Sequence, residues 1–191
     1  MLSYDPCSGW LSSARRCPSP NCDQRSGARP VSLLVVHGIS LPPGEFGGPY
    51  IDQLFCNQLQ PREHDYFAEV AHLRVSAHAL IRRNGELVQY VPLHQRAWHA
   101  GQSCFQGCEG CNDYSIGIEL EGTDELPYDE RQYQCLAEFS QLMMQYFPAI
   151  DRQRIAGHSD IAPGRKTDPG PSFDWLRFDR YLEQAAFERL C

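Results

Sequence analysis

The sequence predicts a single α/β domain with a mixed central sheet flanked by helices, and three observations carry that expectation. VSLLVV at 31–36 is a continuous apolar run, the pattern of a strand buried on both faces. Asn84-Gly85 stands between two strand-like runs, SAHALIRR (76–83) and ELVQYV (86–91), which is the strongest short-range hairpin signal. Residues 129–147 carry a helical apolar stripe with its own start and stop signals. A chain of 191 residues is long enough for one core and short for two full-sized domains.

Taken in order, residues 1–30 are rich in Pro, Ser, Arg and Cys without a period. They read as an irregular N-terminal arm packed on the domain proper, 31–191. The apolar run ends at His37, and LPPGEFGGP (41–49) follows as a loop dense in Pro and Gly. Residues 50–59 read as a short helix with Ile51, Leu54, Phe55 and Leu59 on one face. After the hairpin, 95–113 is a long loop with few apolar residues, and SIGIEL (115–120) is another strand. In the main helix, Asp129 and Gln132 make a capping-box start, with Tyr128 and Tyr133 placed to staple it. Leu136, Phe139, Met143 and Tyr146 line one face, and Pro148 ends the helix. Residues 157–172 form a loop with three prolines, and an amphipathic helix closes the chain over about 174–189. There is no internal repeat and no low-complexity segment.

Composition bounds the function. Hydrophobic residues at 42% and charged residues at 21% describe an ordinary globular protein. A net charge of −7 argues against a nucleic-acid partner. No apolar run approaches the roughly 20 residues of a membrane span, so no membrane partner is expected. The start, MLSYDPCSGWLSSARR, lacks a charged segment followed by an apolar one, so it is not a secretory signal and a cytoplasmic location is expected. Nine cysteines are an odd number in a chain of this size, and reduced thiols are the default.

The chemistry concentrates in three places. His37 sits at the end of a buried strand, where open α/β sheets tend to place function. GHSDIAPGRKTDPG (157–170) holds His158 and Asp168 ten positions apart in a loop stiff enough to turn both inward. Two neutral imidazoles and one carboxylate match a catalytic zinc site, with three protein ligands and an open fourth position. Such a site needs a base to take a proton from water and a cation for the oxyanion. Glu119 and Glu121, on one face of the SIGIEL strand, are rivals for the base, and Lys166 is the cation two residues before Asp168.

SLLVVHGISLPPGEFGGP, HLRVSAHALIRRNGELVQYVP, RAWHAG, CNDYSIGIELEGTD and GHSDIAPGRKTDPGPSFDW together resemble the AmpD-type N-acetylmuramoyl-L-alanine amidases, from about residue 9 to 178. The resemblance implies the amidase-2 fold, shared with phage amidase lysozymes and peptidoglycan recognition proteins. It implies hydrolysis of the amide between the lactyl group of 1,6-anhydro-N-acetylmuramic acid and L-alanine, on cytoplasmic muropeptides during cell-wall recycling. It places zinc on His37, His158 and Asp168, the catalytic glutamate on Glu119 and the catalytic lysine on Lys166. Arg74 falls at a position that looks substrate-facing in the family. Two positions depart from the family pattern: Gly38, where asparagine is usual, and Gly110, where an arginine is frequent. The alternative is a peptidoglycan-binding module of the same fold that does not cut, which the retained ligand set argues against. A monomer acting on a small muropeptide is expected.

Some motifs compete. Cys104, Cys108 and Cys111 have the C-x3-C-x2-C spacing of iron–sulfur enzymes, and with His99 they could hold a structural zinc. The mid-chain position in a small protein favours three reduced thiols instead. His64 and His72 read as surface or capping residues, His78 lies on a strand, and His99, next to Trp98, is the remaining histidine best placed to line a cleft and meet substrate.

Overall fold

The apolar run expected as a strand over 31–36 enters the six-stranded sheet that organises the domain at Leu33, with Val31 and Ser32 left before the strand. Its strands are β1 (Arg15–Arg16), β2 (Leu33–Ile39), β3 (Ala79–Ile81), β4 (Leu87–Gln89), β5 (Ser115–Glu121) and β6 (Ile155–Gly157), in the spatial order β6-β2-β5-β3-β4-β1. The sheet is mixed. β5 runs parallel to β2 and β3, β6 parallel to β2, and only the β3–β4 hairpin is antiparallel. The computed structural model describes residues 2–190. Met1, counted with the expected arm, and Cys191, counted with the expected thiols, lie outside the described residues.

Strand alternation sorts the two central strands into two faces. Leu34 and Val36 of β2, with Ile116, Ile118 and Leu120 of β5, point to the helical layer. That layer is built from α3 (Glu130–Tyr146) and α5 (Trp175–Leu190), through Leu136, Phe139, Met143, Phe178 and Leu182. Leu33 and Val35 point to the opposite face, where they meet Ala100, Cys111, Tyr114 and Ile161. His37 follows Leu33 and Val35 in the same period, and Glu119 is its register partner on β5. The pleat therefore sends His37 and Glu119 to the same side of the sheet, away from the main core.

Local signals account for the helices. Asp129 accepts the Arg131 N–H at 3.0 Å, and Gln132 Oε1 in turn accepts the Asp129 N–H at 3.0 Å, completing the capping box. Gln132 also donates to the Ile81 and Glu121 carbonyls, tying the start of α3 to the sheet rim. Tyr128 and Tyr133 both pack on Phe173, with ring centroids 5.6 and 5.2 Å away, so the staple is made through a third ring.

Several elements differ from expectation. β2 runs two residues beyond His37, because Gly38 and Ile39 still pair with Leu120 and Glu121. α1 covers Tyr50–Phe55 only, and Leu59 reaches the same apolar cluster from beyond it. A further helix, α2 (Asp65–Val70), follows His64, whose ring caps it by accepting the Tyr66 N–H at 3.1 Å. The 95–113 segment is partly paired: Gln95–Ala97 runs antiparallel to Cys22–Gln24, and Cys104–Phe105 pairs with Cys108–Glu109. The loop expected over 157–172 opens with a short helix, α4 (His158–Ile161), directly after β6. Segments of two to six residues carry too little periodicity to be read from a sequence.

Candidate metal centre

β2 and α4 bring His37 and His158 together, and the loop after α4 returns Asp168 to the same point. The Nδ1 atoms of His37 and His158 are 2.9 Å apart, and Asp168 Oδ2 lies 3.3 and 3.0 Å from them. Both histidines are buried, and Asp168 is half-buried. His37 Nε2 faces His99 Nδ1 at 2.9 Å, and His158 Nε2 faces the Ala100 carbonyl at 3.4 Å. With each ring proton on the outer nitrogen, both Nδ1 lone pairs and the carboxylate oxygen converge. Three acceptors this close with no proton between them repel one another unless a cation sits there, so the donor set suits a divalent metal. Among the described residues this is the only group of three or more potential ligands that converges.

The electrostatics agree. Burial pushes the His37 pKa down to about 4, against the opposing bond from Asp168, so the ring is neutral and free to ligate near neutral pH. Burial, reinforced by the Asp168 charge, pushes the Glu119 carboxyl well above its ordinary range, while the Lys166 ammonium pulls it back. Glu119 Oε2 is buried with no hydrogen-bond partner. Glu121, its rival, is fully engaged: Oε1 accepts the Gly47 N–H at 2.7 Å and Oε2 the Arg83 N–H at 3.1 Å, and Arg82 lies 3.5 Å away. Glu121 thus holds the 41–49 loop, and Glu119 is the carboxyl left unsatisfied beside the donors.

These groups open on a cleft of about 760 Å³ whose lining includes His37, Glu119, His158, Lys166 and Asp168 together with the apolar or aromatic Leu54, Phe55, Tyr66 and Trp98. His99 lines it too and stands edge-on to His37, ring centroids 5.0 Å apart. Arg74 is exposed and donates to the nearby His72 and Leu73 carbonyls, so its side chain is not drawn into the donor cluster. At Gly38 an added Cβ would sit 2.4 Å from the Tyr128 hydroxyl, which donates to the Pro169 carbonyl, so any side chain there displaces that ring. Gly110 adopts a left-handed φ of 72° before the turn Cys111–Asp113, a conformation that favours glycine. Cys104, Cys108 and Cys111 do not converge: Cys111 is buried against the Tyr114 hydroxyl, and Cys108 faces Arg29.

Three residues in this neighbourhood have roles the sequence did not reveal. Ser115 takes a bond from His99, Gly117 makes room for that ring, and Glu121 anchors a loop. Only the small size of Ser115 and Gly117, at alternate positions on a strand otherwise filled by large residues, hints at a side chain packed over them.

A mixed sheet carrying a convergent His-His-Asp set and an unpartnered carboxyl in an open cleft defines a hydrolase able to hold a divalent metal. Residues 27–171 match the family described as N-acetylmuramoyl-L-alanine amidase, and the chain belongs to that family. It is 63% identical over 170 residues to the 1,6-anhydro-N-acetylmuramyl-L-alanine amidase AmpD of Citrobacter freundii, spanning 89% of this chain and 90% of that protein. It is 62% identical to the AmpD of Escherichia coli strain K12, over 89% of this chain and 92% of that protein. The crystal structure of a selenomethionine AmpD derivative superposes with a TM-score of 0.90 at 60% identity, covering 94% of this chain and 99% of that one. Among the described residues no helix is long and apolar enough to cross a membrane.

Proposed function

We propose that the chain hydrolyses the amide between the lactyl group of 1,6-anhydro-N-acetylmuramic acid and L-alanine in muropeptides released during cell-wall recycling, in the cytoplasm. The observation that carries this reading is identity above 60% to amidases of that named specificity over nearly their whole length. The convergent donor set beside an unsatisfied carboxyl supports catalysis over mere binding.

His37, His158 and Asp168 would hold the metal, zinc in this reading. A bound zinc supplies Lewis acidity, polarising a carbonyl and making water nucleophilic near neutral pH. Glu119 has the placement and the raised pKa of a general base: it takes the proton of the attacking water and delivers it to the leaving L-alanine amine. Lys166, at the cleft rim, offsets the negative charge that develops on the former carbonyl oxygen. Leu54, Phe55 and Trp98 form an apolar wall for the sugar and lactyl portions. Arg74, next to the cleft residues Leu73 and Val75, is placed to meet a substrate carboxylate if its side chain swings inward. The N-terminal arm, expected to be irregular, instead adds the edge strand Arg15–Arg16 to the sheet and pairs Cys22–Gln24 with Gln95–Ala97, so arm and domain act as one unit on this substrate, and no second copy is required.

The test is to incubate zinc-loaded protein with anhydromuramoyl-tripeptide and, separately, with intact murein. Release of tripeptide from the first and little from the second is expected. Release from murein alone would overturn the substrate, and release from neither would overturn the activity.

A further inference from the structure

Outside the cleft, two thiols from distant parts of the chain meet. Cys17 Sγ and Cys56 Sγ are 3.5 Å apart, where Cys17 follows β1 and Cys56 caps the C-terminal end of α1. Among the described residues no other two cysteine sulfurs are in contact: Cys22 faces Ser19 and Gln95, Cys108 faces Arg29, and Cys111 faces Tyr114. The surroundings hold both sulfurs in place. The Cys17 N–H donates to the Gln89 carbonyl at 2.9 Å, and the Cys56 thiol lies 3.7 Å from the Pro18 carbonyl. Ser19 and Asn21 both donate to the Phe55 carbonyl, and Asn21 is paired with Asn57. A disulfide requires the sulfurs to close by about 1.5 Å, from 3.5 Å to the S–S bond length, between two segments already tied to each other by these hydrogen bonds.

We propose that Cys17 and Cys56 are a redox-responsive pair that forms a reversible disulfide, pinning the N-terminal arm to α1. The oxidant is a peroxide. One sulfur attacks a peroxide oxygen to give a sulfenic acid with loss of water, and the second sulfur attacks that sulfenic sulfur and expels a second water. The two thiols lose two electrons and two protons, and hydrogen peroxide ends as two waters. Burial and the contact with Cys17 push the Cys56 thiol up to about 12, which keeps it protonated until an oxidant engages the pair. In a reducing compartment such a bond is transient and signals oxidant exposure. Leu54 and Phe55, the residues of α1 just before Cys56, line the cleft, so the crosslink stiffens one wall of the site without touching the donor cluster.

The experiment treats zinc-loaded protein with hydrogen peroxide, alkylates the remaining thiols, digests without reduction and maps the peptides by mass spectrometry. A Cys17–Cys56 crosslink as the principal disulfide, reversed by dithiothreitol, is expected. It should come with a rise in melting temperature on the order of 5–10 °C that is absent from Cys17→Ser and from Cys56→Ser. Recovery of Cys17 and Cys56 singly alkylated or singly oxidised, while the exposed Cys7 and Cys104 react, would overturn the proposal. So would crosslinks to other partners, or a rise that persists in Cys17→Ser.

Discussion

His37 Nε2 lies 2.9 Å from His99 Nδ1, and this contact decides which edge of the His37 ring is left to bind a metal. A neutral ring has one proton. If it sits on Nε2 and is donated to His99, then Nδ1 carries a lone pair toward Asp168 and His158. His99 must then hold its own proton on Nε2, which faces Ser115 Oγ at 3.1 Å, and the Ser115 hydroxyl donates onward to the Cys111 carbonyl at 2.6 Å. Every donor in the series has one acceptor, so the tautomers are set by a backbone carbonyl three bonds away. Removing the middle member should loosen the metal without removing a ligand. His99→Ala is expected to weaken zinc by about 10–100-fold in a competition titration against a chromophoric chelator. Affinity within twofold of the parent protein would deny His99 this positioning role.

Gly117 is where that ring packs. A Cβ at Gly117 would lie 2.4 Å from His99 Cγ and Nδ1, well inside contact distance. The ring cannot retreat far, because His37 and Ser115 hold its two nitrogens. Gly117→Ala should therefore destabilise the zinc-free protein by about 1–3 kcal/mol in denaturant unfolding. It should also lower zinc affinity in the same direction as His99→Ala. A variant as stable as the parent would mean that the ring has room the structure does not show.

The two glutamates of β5 make opposite predictions although they sit two residues apart. Glu119 is buried with an unsatisfied oxygen and a raised pKa. Its ionisation opposes folding: the stability present below the unfolded pKa is lost as pH rises through the higher folded value. Glu119→Gln should leave the zinc-free fold at least as stable as the parent, with an advantage that grows with pH. Turnover of the anhydromuropeptide should fall by about 10²–10⁴-fold. Near-parental turnover would remove Glu119 from the base role.

Glu121 behaves in the reverse manner. It satisfies the N–H groups of Gly47 and Arg83 and neutralises Arg82. Glu121→Ala strands those groups, and a cost of about 1–3 kcal/mol is expected in thermal or chemical unfolding, with zinc affinity preserved. Loss of turnover at unchanged stability would show that the two roles had been exchanged.

How much of this was legible beforehand follows from the physics of each signal. The α3 capping box and the buried strand at 31–36 are local patterns, and both could be read from a few adjacent residues. The donor trio needed only residue type and a stiff loop to suggest it. Distinguishing Glu119 from Glu121 was beyond strand alternation, which puts both on one face. The separation depends on the Gly47 and Arg83 amides, which reach Glu121 from 74 and 38 residues away. The His99–Ser115 support was illegible for the same reason. β1, Arg15–Arg16, is too short to show any period, and the edge of the sheet it occupies is visible only in three dimensions.

His78 gives the acid limb of stability a specific source. Its Nδ1 accepts the Gly117 N–H at 3.0 Å, so its single proton is on Nε2, facing the Gln95 carbonyl at 3.1 Å. Burial, and then the Arg25 charge next to the ring, push its pKa down to about 3. The unfolded chain binds this proton near pH 6.5 and the folded chain does not, so stability is complete above that value and falls as pH drops toward 3. One histidine of this kind contributes up to about 1.4 kcal/mol of lost stability per pH unit. His37 and His99, both pushed down by burial, act in the same direction. In His78→Asn the titrating ring is gone while the amide oxygen can take the place of Nδ1 as acceptor for the Gly117 N–H, so the slope of unfolding free energy between about pH 6 and about pH 4 should become shallower by up to that amount per unit. The measurement is denaturant unfolding of zinc-free protein at several pH values. An unchanged slope would mean that His78 takes up its proton in the folded state, and that Arg25 and the sheet tolerate a second charge beside them.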